Sequence, residues 1–192
     1  GPHSDGRPAV WIRCGDMTNA GGYSELAVGR GPKAWGLECK ARSNGPRASC
    51  DYSDAFGMNA QAAGSGSADI GGESSAIGDQ SLALGNTATA NTQDSIAAGT
   101  NAAATGAGAA AIGFNATTNG AQASSFGNSA EADGAQATAI GSSSWANAQQ
   151  ATAVGSGAGA RAAGSTAMGS NSIAAGESSY AAGGTGISAS SG

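Results

Sequence analysis

Short bursts of alternating small and polar residues run along this chain, and the bursts recur every fourteen residues. Glycine marks the period. It stands at 57, 71, 85, 99, 113, 127, 141, 155, 169 and 183, and the same register reaches back to Gly29, Gly15 and Gly1, broken by Ser43 alone. Counting from each glycine as position 0, positions 3, 5, 10 and 12 are mostly Ala or Ser, position 7 is often Gly, and position 13 is usually large and apolar. Each half of the period is a period-two stretch bounded by a turn residue, which predicts a short strand. A fixed short period predicts a solenoid, with one coil per repeat and each coil buried by its neighbours. The expected fold class is therefore all-β: a parallel β-roll solenoid with fourteen-residue coils.

Alternation also assigns the faces. Small residues at 3, 5, 10 and 12 point inward, so the core is thin and the two sheets lie closer than the usual ~10 Å. Positions 4 and 6 face water and include Gln61, Thr89, Asn91, Thr105, Thr117, Asn119, Glu131, Asp133, Asn147 and Arg161. Position 13 then faces outward as well, and it carries Val28, Phe56, Ile70, Leu84, Ile112, Phe126, Ile140, Val154 and Met168. Coils stacked at ~4.8 Å would line these into an apolar stripe ~50 Å long. Monomers rarely expose such a patch. Burial stabilises each large side chain by ~1.5–3 kcal/mol, which an Ala/Ser core cannot match. The stripe predicts cyclic self-association through those nine residues.

Composition changes this picture little. The chain has 192 residues, 34 of them Gly, with 11% charged and 5% aromatic. Such a composition alone suggests low complexity, but a disordered linker has no reason to keep one apolar register. Of eight basic residues, seven lie at or before Arg47, and residues 57–192 hold one Arg against seven acids. That excludes a basic stripe, and with it nucleic acid as a partner. The apolar runs are too short to span a membrane as a helix, and no signal peptide stands out. Gly1-Pro2 resembles a tag-cleavage remnant and the chain ends mid-coil, so it reads as a piece of something longer, with any membrane anchor elsewhere.

The segments Ser81-Leu82-Ala83-Leu84-Gly85, Ala137-Thr138-Ala139-Ile140-Gly141, Ala151-Thr152-Ala153-Val154-Gly155 and Ser165-Thr166-Ala167-Met168-Gly169 resemble a known motif. It is the S-V-A-I-G head repeat of the YadA-like trimeric autotransporter adhesins of Gram-negative bacteria. The resemblance implies a left-handed roll, an intertwined homotrimer, and a place on the bacterial cell surface, anchored in the outer membrane. It also implies binding to extracellular matrix proteins such as collagen, or to host-cell surfaces. It is specific from 57 to 183 and weaker before that, so the chain divides into atypical N-terminal coils over 1–56 and regular head repeats over 57–192. No heptad run of a stalk is present.

The first coils keep the register but gather Trp11, Trp35, Tyr23, Tyr52, most of the basic residues and all three cysteines, with Arg42 in a ladder position. They read as a cap over the open end of the solenoid or as a binding tip. In the second reading Trp35, Arg30 and Lys33 are the candidate ligand-binding residues, since large rigid side chains carry most interface energy. Cys39 and Cys50 flank one turn on stacked coils, which makes them the candidate disulfide. Cys14 takes a ladder position and is expected to stay a thiol.

Chemistry beyond binding finds little support. Gly155-Ser156-Gly157-Ala158-Gly159 lacks the Lys and following helix of a phosphate loop. His3 is the single histidine, so no Ser-His-Asp arrangement is expected. No catalytic residue, metal or cofactor is expected. Trp145, at position 4, either packs over a neighbouring turn or contacts a ligand. The leading reading is a non-enzymatic adhesin head acting by multivalent contacts. The alternatives are a structural spacer of a surface fibre and an ice-binding solenoid using Thr138, Thr152 and Thr166.

Overall fold

A computed structural model describes residues 12–14, 19–20, 25–184 and 188–189. Trp11, Tyr23 and His3 lie outside the described residues. Twenty-six strands run from β1 (Ile12–Cys14) to β26 (Ser188–Ala189). Odd-numbered strands form one thirteen-stranded parallel sheet and even-numbered strands another, each in sequence order. Every coil thus gives one strand to each sheet, as the two half-periods predict. The register is uniform: Ile112 pairs between Ala98 and Phe126, and Phe126 between Ile112 and Ile140, each fourteen residues apart.

The inward positions are those read from the alternation. Ala76 and Ala83, like Ala90, Ala97, Ala104 and Ala111, have no exposed surface. Pro32 and Pro46 replace Ala or Ser at position 3 in the early coils and are fully buried. Proline is tolerated there because a position-3 N–H makes only a local bond, as Ala88 N–H does to Gly85 O at 3.3 Å. Position 4 carries the bond between coils, as Lys33 N–H does to Pro46 O at 2.9 Å.

Two corners close each coil, and each holds a residue in the left-handed region. At position 2 these include Glu73, Thr87 and Asn115; at position 9 they include Gln80, Asp94 and Gln122. Isolated residues pay for this conformation. Here each one donates its N–H to the preceding coil, Glu73 to Met58 O at 2.7 Å and Gln80 to Ser65 O at 2.8 Å. The position-0 glycines are required by stacking. Gly113 has φ 140°, and a Cβ added there would sit 2.3 Å from the carbonyl oxygen of Gly127. Ser43, the one break in the glycine ladder, keeps the same backbone at φ 125°.

The interior holds more polar groups than the Ser that the alternation predicts. Thr118 and Ser125 meet inside at 2.6 Å, and the Thr118 hydroxyl also reaches Ala110 O at 2.9 Å. Two carboxylates point inward as well: Glu25 at position 10, whose Oε1 accepts Gly36 N–H at 2.8 Å, and Asp69 at position 12. Asp69 is completely buried, between Ala55 and Ala83 in register. Its Oδ2 accepts Gln61 N–H, but Oδ1 has no hydrogen bond, and neither do the buried Ser67 and Ser81 hydroxyls. Burial raises the Asp69 carboxyl from 3.8 to about 6, against the opposing pull of Ser74 and the Gln61 amide.

That shift has a sign. A carboxyl raised on folding binds its proton more tightly in the folded state, so its contribution is complete below about pH 4 and is lost as pH rises through about 6. The loss amounts to about 3 kcal/mol. Asp69→Ala restores the small-residue column, and Gln61 N–H keeps a second acceptor, Ser74 O at 3.1 Å. Thermal melts are expected to show the variant well above the parent near pH 7.5, with the gap closing near pH 4.5. A gap that does not change with pH would refute the charge account.

Candidate functional site

The outer face of the odd-strand sheet carries the expected stripe. Ile70, Leu84, Ile112, Phe126, Ile140 and Met168 all stay exposed, between 38% and 45% each. Val28, Phe56 and Val154 are half-buried by their neighbours. Ile96, at position 11, widens this face, whereas Met58 and Phe114, at position 1, are exposed around the adjoining corner, outside the strands of the odd-numbered sheet. Sequence reasoning missed Met58 and Phe114 because position 1 has no consistent character. Their signal was size, in a column that from Asn44 onward is otherwise Asn, Ser, Thr or Gly.

Toward the N-terminus the same face becomes charged. Arg42 occupies the ladder position between Val28 and Phe56 and stacks its guanidinium 5.5 Å from the Phe56 ring centroid. At position 11, Lys40 Nζ lies 3.1 Å from Asp54 Oδ1. An exposed pair of this kind adds little stability. Its effect is to replace apolar contact area with polar groups at one end of the stripe. Thr138, Thr152 and Thr166 do line up in register, but Ser124 and Tyr180 bound them after three strands.

On the opposite sheet, Trp145 packs over the neighbouring coil. A Cβ at its register partner Gly159 would fall 2.2 Å from the indole Cζ2, so Gly159 is the space the ring occupies. The Arg161 guanidinium lies 4.7 Å from the ring centroid, a cation–π contact. Of the two readings of Trp145, the structure favours packing. Glu131 lies beside Trp145 in register, and its carboxyl is raised above the ordinary value, chiefly by its hydrogen bond with Asp133 and also by burial. Asn119 Nδ2 donates to Asp133 Oδ1 at 2.6 Å and accepts at Oδ1 from the Thr105 hydroxyl at 2.7 Å. The wall is a hydrogen-bonded polar ladder. Among the described residues no group of three or more His, Cys, Asp or Glu could hold a metal.

The three candidate ligand residues divide between two surfaces. Lys33, in β4 (Lys33–Ala34), sits 5.8 Å over the exposed Trp35 ring on the even-strand sheet. Arg30 ends β3 (Leu26–Arg30) in the other sheet and lines a corner groove with Asn44 and Asn59.

Cys39 is buried and Cys50 half-buried, and both are free thiols in the structure. Cys39 Sγ–H donates to Cys50 O at 2.5 Å and accepts from the Ser53 hydroxyl at 3.6 Å. Burial raises the Cys39 thiol, as the largest influence on it, which slows its reaction in the reduced head. Cys14 pairs with Val28, the ladder register expected of it. Treatment with a low-mass disulfide followed by peptide mass mapping is expected to link Cys39 to Cys50 and leave Cys14 alkylatable. A bridge that includes Cys14 would contradict the pairing.

A family model for the YadA head domain repeat matches residues 70–102 and 132–158 in two copies. No curated protein matches the chain. Both matched stretches lie within the regular coils, where the glycine corners, the alanine interior and the outward apolar ladder are all present. Residues 70–102 and 132–158 are thus YadA-like head repeats, and the other coils of the solenoid share their fourteen-residue register.

Proposed function

We propose that this chain is the non-enzymatic head of a bacterial surface adhesin, and that it works as a homotrimer, with the left-handed winding that the family resemblance implies. One observation supports assembly above the rest: the exposed apolar stripe along the odd-strand sheet. Covering it gives back hydrophobic stabilisation that the thin core lacks, and closed rotational symmetry covers it on every copy. Three copies then present three polar walls outward. Each wall repeats nearly the same groups coil after coil, which suits a long fibrous ligand such as collagen or a host-cell surface, where weak contacts add through effective concentration. The head would stand at the cell surface, anchored at the outer membrane as the family resemblance implies.

The N-terminal coils supply a second, more specific contact. Trp35 is large, rigid and exposed, with Lys33 over its ring and Arg30 around the corner. Rigid aromatics and arginine carry interface energy disproportionate to their number.

Light scattering is expected to give the mass of three chains for the native head. Replacing both Ile112 and Ile140 with Asp places charges against their symmetry copies and should yield monomers or aggregate. A native mass of one chain would overturn the assembly. Ala at Trp35, Arg30 and Lys33 together, with the trimer retained, should weaken attachment to host cells severalfold; unchanged attachment would reduce these coils to a cap. Absence of matrix-protein or cell binding at high surface density would overturn the adhesin reading and leave a spacer.

A further inference from the structure

We propose that the corner groove beside Arg30 binds the acidic unit of a saccharide, a sugar bearing one carboxylate or sulfate. The groove has a volume of about 440 Å³ and spans three successive coils, lined by Arg30, Gly31, Asn44, Gly45, Met58 and Asn59. Its origin is visible in the repeat. Position 2 of each coil is a left-handed corner, filled further along by Glu73, Thr87, Asn101, Asn115, Ser129 and Ser143. At Gly31 and Gly45 two consecutive coils have no side chain there. A Cβ at Gly31 would have nothing within 4 Å, so the corner opens directly to the surface. At Gly45 the Oδ1 of Asn59 lies 2.8 Å from where a Cβ would be, so Asn59 lies across this dent as its far wall.

The lining chemistry selects the ligand. Among the described residues no carboxylate lines the groove. Lys40–Asp54 is the one ion pair among them, so no described acid occupies the Arg30 guanidinium, which offers two parallel donors to an external carboxylate or sulfate. The Asn44 and Asn59 side-chain amides make no hydrogen bond within the described residues and offer both donors and acceptors, the match for sugar hydroxyls and an acetamido group. Met58, 51% exposed, supplies an apolar surface for the C–H face of the ring. A comparable dent at the other corner, beside Gly108, is lined by Gln93, Asp94 and Gln122. Its described lining has amides and an acid, Asp94, and no arginine, so it repels the same ligand and serves as the internal contrast.

This site deepens the adhesin reading and rests on it for its role at the host surface; the binding test is independent of cell attachment. Saturation-transfer NMR on the soluble head would use three probes: N-acetylneuraminic acid, N-acetylglucosamine 6-sulfate and neutral N-acetylglucosamine. One or both acidic sugars are expected to bind at millimolar concentration or tighter, the responding one identifying carboxylate or sulfate as the source, with the neutral sugar at least about tenfold weaker. Arg30→Gln should lose about tenfold in affinity. Gly31→Asn keeps the left-handed backbone, which Asn tolerates, and should block the groove mouth. Ser143→Asn, the same change of corner residue far from the groove, should leave binding intact. No signal from either acidic sugar, equal binding of the neutral one, or binding indifferent to both Arg30→Gln and Gly31→Asn would overturn the proposal. Attachment to cells alongside a failed sugar test would leave the adhesin reading standing and remove this site.

Discussion

The separation of the two sheets governs everything else in this head. They approach until nearly every inward side chain is Ala, Ser, Pro or Thr, with Glu25, Cys39 and Asp69 the larger exceptions among the described residues, and inward positions such as Ala76, Ala83, Ala97 and Ala111 are completely buried. Small side chains bring little hydrophobic stabilisation each. The compensation is regularity: backbone hydrogen bonds run from coil to coil along both sheets and through both corners. The same closeness sets the corners. Gly113 above Gly127 leaves no room for a Cβ, which is why glycine and the fourteen-residue period coincide.

A thin core also decides where large side chains go. Ile112, Phe126 and Ile140 cannot enter, so they stack on the outside and keep about two-fifths of their surface in water. Covering what remains exposed would contribute ~1 kcal/mol at each position, and along the whole stripe this is comparable to the entire net stability of a typical single-domain fold. The proposed assembly would thus follow from core thickness. The ladder's charged end, with Arg42 on Phe56 and Lys40 beside Asp54, marks where that drive fades and a different surface begins.

Polar groups within so tight a space are held to a strict standard. Thr118 and Ser125 satisfy each other and fit without penalty. Asp69 does not: one carboxylate oxygen takes a backbone N–H while the other has no partner, and its proton affinity rises in response. On the wall, by contrast, the Asn119–Asp133 and Glu131–Asp133 contacts lie at or near solvent, where repetition lets each residue use the one above it.

The sequence by itself determined the coil length, the two strands per coil, the inward and outward positions and the apolar stripe. All of these are periodic, and periodicity survives without coordinates: Ile70, Leu84, Ile112 and Ile140 declare their face by recurring at one position. What broke the period was harder to read. Asp69 sits in an alanine column and was passed over because a single deviation carries no spacing signal; only the surrounding buried atoms show its cost. The role of Gly159 depended on Trp145 fourteen residues earlier laying its ring across it. Arg30, Lys33 and Trp35 lie within six residues of one another in sequence, yet the coil turns a corner between them and gives Arg30 to a groove shared with Asn44 and Asn59. A groove of that kind joins residues one and two coils apart, and its depth comes from side chains missing at Gly31 and Gly45. Tertiary structure decided it because an empty volume exists only once the coils are stacked.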